Sequence, residues 1–401
     1  MTCMNGAAMA KALIMSIRRT KEAREGDLGK SLSPVLHITI VNPRKLSKGG
    51  GSEHWVSEVS KYVSAKGHHV EILVPEDPDI PSIDGSALRE VRIRSRVYNL
   101  LKYLGILNLY PPLFFARVEK KTDVVYSTSM MPLILLALTS KPVIIGSQDY
   151  FFNNRRSSRD TLLHLALSVV KHLSGHRFSI HSLSDYHSGR IGAANGIIFE
   201  IPNFGDLIKQ SAPSHRTQTF NVLFFGRVDN RKGAELLFEV AETLDGISGI
   251  QLNIMGDISD EYLDKVMRFR NVENVKFLGY LEGIDKHNVL QSSSCLLFLS
   301  KRDSMPFVII QSMEHGLPII STWEYTSKVF PCEGIFSCVE NAQEVLTCIM
   351  KLFALWNSDP SAYEALSLRV KEFSDHNYNR SKVMSDIEQM FISTSASAVR
   401  K

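Results

Sequence analysis

Two stretches of this sequence combine residue types and spacings that could do chemistry. In GRVDNRKGAE (226–235), Arg227 and Lys232 lie five apart between Gly226 and Gly233. A strand ending at Gly226 and a helix opening near Ala234 would aim free backbone N–H groups and a positive helix dipole at an anion. The guanidinium can hold a phosphate through two donors, and the ammonium adds a point charge. In KRDSMPFVIIQSMEHGLP (301–318), an apolar run ends in charge, Asp303 follows in the loop, and Pro306 suits a first helical turn, where its missing N–H costs nothing. The N–H groups of Phe307, Val308 and Ile309 would then face the same cleft, with Gln311 about one and a half turns into the helix. At ~1.5 Å per residue, Asp303 and Gln311 cannot act on one atom, so each must reach a different part of a ligand. The plain alternatives are a solvated turn for the first stretch and an ordinary helix start for the second.

The elements that must position these residues are legible as short apolar runs. VLHITIV (35–41), HVEIL (69–73), DVVYS (123–127), PVIIG (142–146), FSIHS (178–182) and IIFEI (197–201) read as buried strands. FNVLFF (220–225), IQLNIM (250–255), VKFLG (275–279), CLLFLS (295–300) and LPIIS (317–321) continue the series. Such runs alternating with helix-period segments imply α/β domains with doubly wound parallel sheets. The polar, aperiodic segment KQSAPSHRTQT interrupts them once, and each half then opens with a strand, a glycine turn and a helix. The expected organisation is a weakly ordered extension over 1–32 and a Rossmann-like domain over 33–208. A linker over 209–219 leads to a second Rossmann-like domain over 220–375, and a helix over 376–401 can pack back on the first domain. Ligands of such sheets bind beyond the carboxyl ends of the strands, in the cleft between the domains.

Composition agrees with large folded domains. The 401 residues are 44% apolar and 22% charged, and the net charge of +4 says little about partners. Five cysteines without a CxxC pair argue against a disulfide framework or a zinc site and for reduced thiols. The longest apolar stretch, near residues 130–139, is too short to cross a bilayer, and no signal-like segment is evident. The chain therefore reads as cytoplasmic. The GKS at 29–31 lacks the upstream glycine and preceding strand of a phosphate loop.

The order G-R-x-x-x-x-K-G, then F-L-G-Y (277–280), then S-x-R-D-x-M-P-x-x-x-x-Q-x-M-x-x-G-L-P resembles the nucleotide-sugar domain of retaining GT-B glycosyltransferases of family four. GGGSEHW (49–55), AKGHHVEIL (65–73) and IPNFGD (201–206) extend the resemblance through the first half. It implies a GT-B fold and a donor diphosphate held by Arg227 and Lys232. It also implies acidic residues eight apart beside the donor sugar and the nucleotide ribose. Here they are Asp303, which keeps the carboxylate, and Gln311, which keeps only hydrogen bonding. Gln148 stands near where the family has a histidine and cannot titrate near neutral pH. Gly50 and Gly51 would let the opposite loop approach the phosphates.

The resemblance implies retaining transfer from a UDP-, GDP- or ADP-linked sugar to a saccharide or lipid-linked acceptor, in surface polysaccharide or lipopolysaccharide assembly. With Arg227, Lys232 and helix dipoles to neutralise the diphosphate, no metal or other cofactor is required. Asp77-Pro78-Asp79 reads as an acidic turn rather than a metal motif. Residues 89–121 carry eight basic side chains against two acidic ones, interleaved with aromatic and aliphatic residues. That pattern fits either an anionic membrane surface, at about 1 kcal/mol per cation, or a solvated basic face over a core. Nucleic acid is disfavoured because no recognition motif accompanies it. Two rivals remain: a degenerate paralogue that binds nucleotide or glycan for an active partner, and a sugar-nucleotide epimerase. Retention of the carboxylate at Asp303 argues for the enzyme.

Overall fold

The computed structural model describes residues 34–42, 50–75, 88–93, 121–128, 141–148, 178–191, 197–206, 218–269 and 272–399. One seven-stranded sheet takes β1 (His37–Val41), β2 (His69–Pro75), β3 (Leu88–Ile93), β4 (Val124–Ser127), β5 (Val143–Gly146), β6 (Phe178–Ser182) and β7 (Ile197–Glu200) in the order β3-β2-β1-β4-β5-β6-β7. A six-stranded sheet takes β8 (Phe220–Phe225), β9 (Ile250–Met255), β10 (Val275–Gly279), β11 (Cys295–Phe298), β12 (Ile319–Ser321) and β13 (Ile335–Ser337) in the order β10-β9-β8-β11-β12-β13. Every pairing is parallel. Each of the expected apolar runs contains a strand.

Two strands were not expected. β13 is only three residues long. β3, LREVRI, mixes charged with apolar residues, as an edge strand can, and its Arg89 lies opposite Glu71 of β2. Residues 89–93 of the basic stretch therefore belong to this strand. The remainder of that stretch up to residue 120, the Asp77–Asp79 turn, residues 1–32 and most of the 209–219 linker lie outside the described residues.

Among the described residues the helices are α1 (Gly51–Ala65), α2 (Asp185–Ile191), α3 (Ala234–Leu244), α4 (Leu263–Phe269), α5 (Gly283–Ser292), α6 (Phe307–Glu314), α7 (Thr326–Val329), α8 (Ala342–Ser358), α9 (Pro360–Asn377) and α10 (Arg380–Val399). Their apolar spacing decides what they cover. Leu237, Val240, Ala241 and Leu244 of α3 join Val345, Ile349 and Leu352 of α8 over one face of the second sheet. α9 starts on Pro360 behind the capping side chain of Asp359. Val383, Met384, Ile387, Met390 and Phe391 make one stripe of α10, and that stripe packs on the first sheet beside Trp55 and Tyr126. The last described helix thus completes the core of the first sheet, not of the second. Among the described residues no helix is long and apolar enough to cross a membrane.

Strand order reverses twice. β2 and β4 flank β1 on opposite sides, and β9 and β11 flank β8 in the same way. Such switch points leave crevices at the carboxyl ends of the central strands. The loops after β1, β8 and β11 carry Gly50, Arg227 to Lys232, and Asp303.

Candidate functional site

The loop after β8 is shaped by one residue that the motif reading passed over, Asp229. Its Oδ1 accepts from the backbone N–H of Lys232 at 2.8 Å and caps the 3-10 turn Asn230–Lys232. Its Oδ2 accepts from Arg227 Nε at 2.7 Å. Arg227 keeps the rest of its guanidinium outward, its side chain 48% exposed. Gly233 then turns the chain at φ 82°, where an added Cβ would lie 2.3 Å from the Leu299 carbonyl oxygen. That approach sets the β8 and β11 loops side by side, and Lys301 N–H closes on Arg231 O at 3.0 Å.

The same approach brings two of the expected residues together. Lys232 Nζ donates to Asp303 Oδ2 at 2.6 Å, with only 17% and 14% of the two side chains exposed. Ser300 Oγ donates to the same oxygen at 3.2 Å. An ammonium and a carboxylate thus meet at the switch point of the second sheet, one from each flanking loop.

Pro306 occupies the N-cap position of α6, one residue before the first turn. The N–H of Ile309 folds back on the Pro306 carbonyl at 3.2 Å, so it is not free as expected. Those of Phe307 and Val308 have no hydrogen-bond partner among the described residues. The Phe307 ring packs edge-on to His54, centroids 4.8 Å apart, and against Phe204 at 5.3 Å. The starts of α1 and α6 therefore face each other. The glycines at the start of α1 are also constrained by protein neighbours. A Cβ on Gly51 would touch the Phe307 ring at 3.4 Å, and one on Gly50 would lie 2.3 Å from the Glu53 carboxylate.

A polar seam ties the first sheet to the segment 303–314. Ser304 Oγ donates to the Ser147 carbonyl at 3.2 Å and bonds His187 Nε2 at 3.1 Å, while His187 Nδ1 meets Ser184 Oγ at 2.6 Å. Because the Ser304 hydroxyl donates to a carbonyl, it accepts from His187, which is neutral; burial drives its pKa down to about 3. Gln148 lies beside this seam, donating to Asn203 Oδ1 at 3.4 Å, and Asn203 Nδ2 donates to the Met305 carbonyl at 2.7 Å. Gln311 is reached from across the cleft by Asp206, at 3.0 Å, and Lys286 bonds the other Asp206 oxygen at 2.6 Å. Asp206 lies in the IPNFGD stretch; His187, Lys286 and Glu314 carry no comparable signal in the sequence.

Glu314 accepts from the Asp206 backbone N–H at 3.0 Å. Burial, with the negative charges of Asp206 and Asp375 nearby, pushes its pKa from the ordinary 4.5 up to about 7. Because the folded value is the higher one, this carboxyl favours folding while protonated. Its contribution is complete below pH 4.5 and is lost as pH rises through about 7. Glu314→Gln keeps the accepting oxygen and removes the ionisation. It is expected to match the native chain in thermal unfolding near pH 4.5 and to melt higher than it at pH 8. Equal midpoints at pH 8 would show that the carboxyl ionises without penalty.

Residues 219–353 match the family described as Glycosyl transferases group 1. A curated relative, an uncharacterized 41.2 kDa protein in the cps region of Klebsiella pneumoniae, is 23% identical over 178 residues. That match covers 43% of this chain and 46% of the relative, less than half of its length. Among solved structures, sucrose-phosphate synthase (tll1590) from Thermosynechococcus elongatus superposes with a TM-score of 0.67 at 16% identity, covering 90% of this chain and 100% of that one. Anabaena Alr3699/HepE in complex with UDP-glucose superposes with a TM-score of 0.61 at 14% identity, covering 89% of this chain and 100% of that one. At such identities the two superpositions establish the fold. The chain has the two-sheet GT-B fold seen in glycosyltransferase structures, and its residues 219–353 match the glycosyl transferases group 1 family.

Proposed function

We propose that this chain transfers a sugar, with retention at the anomeric carbon and without a metal, from a nucleotide-sugar donor to a saccharide or lipid-linked acceptor. The observation that carries the reading is the Lys232–Asp303 pair at the β8/β11 switch point, beside the open N–H groups of Phe307 and Val308. In this reading Lys232, Arg227 and the α6 start neutralise the departing diphosphate, where negative charge grows. Asp303 steadies the sugar as positive charge develops at its anomeric carbon, and Gln311 meets the ribose. Gln148 and the α1 start close the cleft from the other side. The UDP-glucose bound by Alr3699/HepE supports a nucleotide-sugar donor. The cps region of the Klebsiella relative supports a setting in surface polysaccharide or lipopolysaccharide biosynthesis.

One observation favours the non-catalytic rival. Lys232 and Gln311 already hold internal carboxylates, as ligand-binding groups of an idle site can. A single experiment separates the readings: thermal unfolding and sugar release with a panel of UDP-, GDP- and ADP-sugars, no metal added. Stabilisation by one member with slow release of free sugar is expected. Stabilisation without release, even with cell-envelope extract as acceptor, would favour the binding subunit. Stabilisation by none would overturn the donor site itself.

A further inference from the structure

Gln311 is 5% exposed, so the way its amide points is set by its protein neighbours. The two ends of a carboxamide are nearly equal in shape and opposite in hydrogen bonding: the NH2 donates, the oxygen accepts. Asp206 decides between them. Burial alone would raise the Asp206 carboxyl, but the Lys286 ammonium and the Gln311 amide hold it below the usual carboxylate range, so it is ionised. An ionised carboxylate only accepts, and only the NH2 of Gln311 can face it.

Asp206 cannot swing away easily. Its backbone N–H is held by Glu314, Lys286 grips its second oxygen, and the preceding Gly205 N–H bonds the Tyr378 carbonyl at 3.1 Å. α6 is held in turn at the Gln311 carbonyl, which accepts from His315 Nδ1 at 2.8 Å. What remains is Gln311 Oε1. It receives no hydrogen bond from any described residue.

We propose that Asp206 is a positioning residue that locks the Gln311 amide with its oxygen toward the donor site, so that Gln311 acts as a pure acceptor for a ribose hydroxyl. The proposal rests on the nucleotide-sugar reading above and gives the neutral side chain at 311 the polarity of a carboxylate. It has a second consequence. A glutamate at 311 would put a second negative charge about 3 Å from Asp206, so the acidic residue fits this chain only if position 206 loses its own charge.

The test measures dissociation constants of UDP, GDP and ADP and of their 2′,3′-dideoxy analogues by calorimetry, in the native chain and in three variants. The native chain is expected to prefer one ribonucleotide over its dideoxy form by at least about tenfold, since a site built to bond a hydroxyl rejects the analogue lacking it. In Asp206→Asn the dideoxy affinity should change by less than about twofold while the preference falls below about threefold, because either end of the Gln311 amide can now face its neighbour. Gln311→Glu alone should weaken the ribonucleotide by about tenfold or more, and Asp206→Asn with Gln311→Glu together should recover to within about threefold of the native value. A merely structural role would move both nucleotides alike.

Full preference retained in Asp206→Asn, or a Gln311→Glu that binds as tightly as the double variant, would overturn the positioning role and leave the donor site standing. Should Asp206→Asn fail to fold, Gln311→Glu alone decides: unchanged or tighter ribonucleotide binding refutes the proposal. A native chain that binds none of the three diphosphates would refute the nucleotide-sugar reading, and the positioning role with it.

Discussion

Lys232→Ala is expected to slow sugar transfer by roughly 10- to 150-fold, the kinetic equivalent of about 1.5–3 kcal/mol for one charge-assisted hydrogen bond. The ammonium has two roles in this geometry. It balances Asp303 at 2.6 Å, and in the proposed reading it meets the diphosphate where negative charge grows. These roles predict different companions to the rate loss. If Lys232 only holds Asp303, then Asp303→Asn should relieve the unpaired carboxylate and restore the unfolding midpoint of the Lys232→Ala variant. If Lys232 meets the diphosphate, the double variant stays as slow as the worse single one. Steady-state rates with the donor found by the panel, read beside unfolding midpoints, separate the cases. A loss below about threefold would remove Lys232 from the diphosphate site.

The largest stability effect is expected at Gly256→Ala. Gly256 has φ 144°, a region that side-chain-bearing residues rarely adopt, and an added Cβ would lie 2.1 Å from the Gly226 carbonyl oxygen and 2.6 Å from its carbon. Both neighbours are backbone, so no rotamer change can make room. Strain and overpacking together should cost about 2–4 kcal/mol, which lowers the unfolding midpoint by roughly 5–15 °C. Gly246→Ala isolates the backbone contribution: φ is 75°, and nothing lies within 4 Å of its added Cβ. It should lose about 1 kcal/mol, an amount set by left-handed backbone alone. Equal losses in the two variants would show that the β8 and β9 loops part easily. The clash matters for chemistry too, because the same Cβ lies 3.2 Å from the Arg227 backbone nitrogen and would push that residue outward.

The sheets were legible because a parallel strand covered on both faces is an unbroken apolar run, as in FNVLFF and IQLNIM. β3 was not, since charges interrupt its apolar residues at an edge and it merges into a basic stretch. The chemistry-bearing loops were legible for a related reason. Arg227, Lys232 and Asp303 lie within a few residues of strand ends, so local spacing exposed them. What spacing could not expose is pairing across the fold. Lys232 and Asp303 meet over 71 positions, and Gln311 and Asp206 over 105. The contact between Gly51 and Phe307 lies equally beyond local spacing, because it forms only when α1 and α6 meet.

The stripe on α10 has a consequence for how the protein is made. Tyr126 and Trp55 find a ring of their core, Phe391, only after the whole second sheet has left the ribosome. At about 5–20 residues per second, the first sheet must wait on the order of ten seconds or more with an apolar face uncovered. During that interval it is a client for chaperones and a target for proteases. Loss of Phe391 would therefore reduce the yield of newly made chains more than the melting point of those that had already folded.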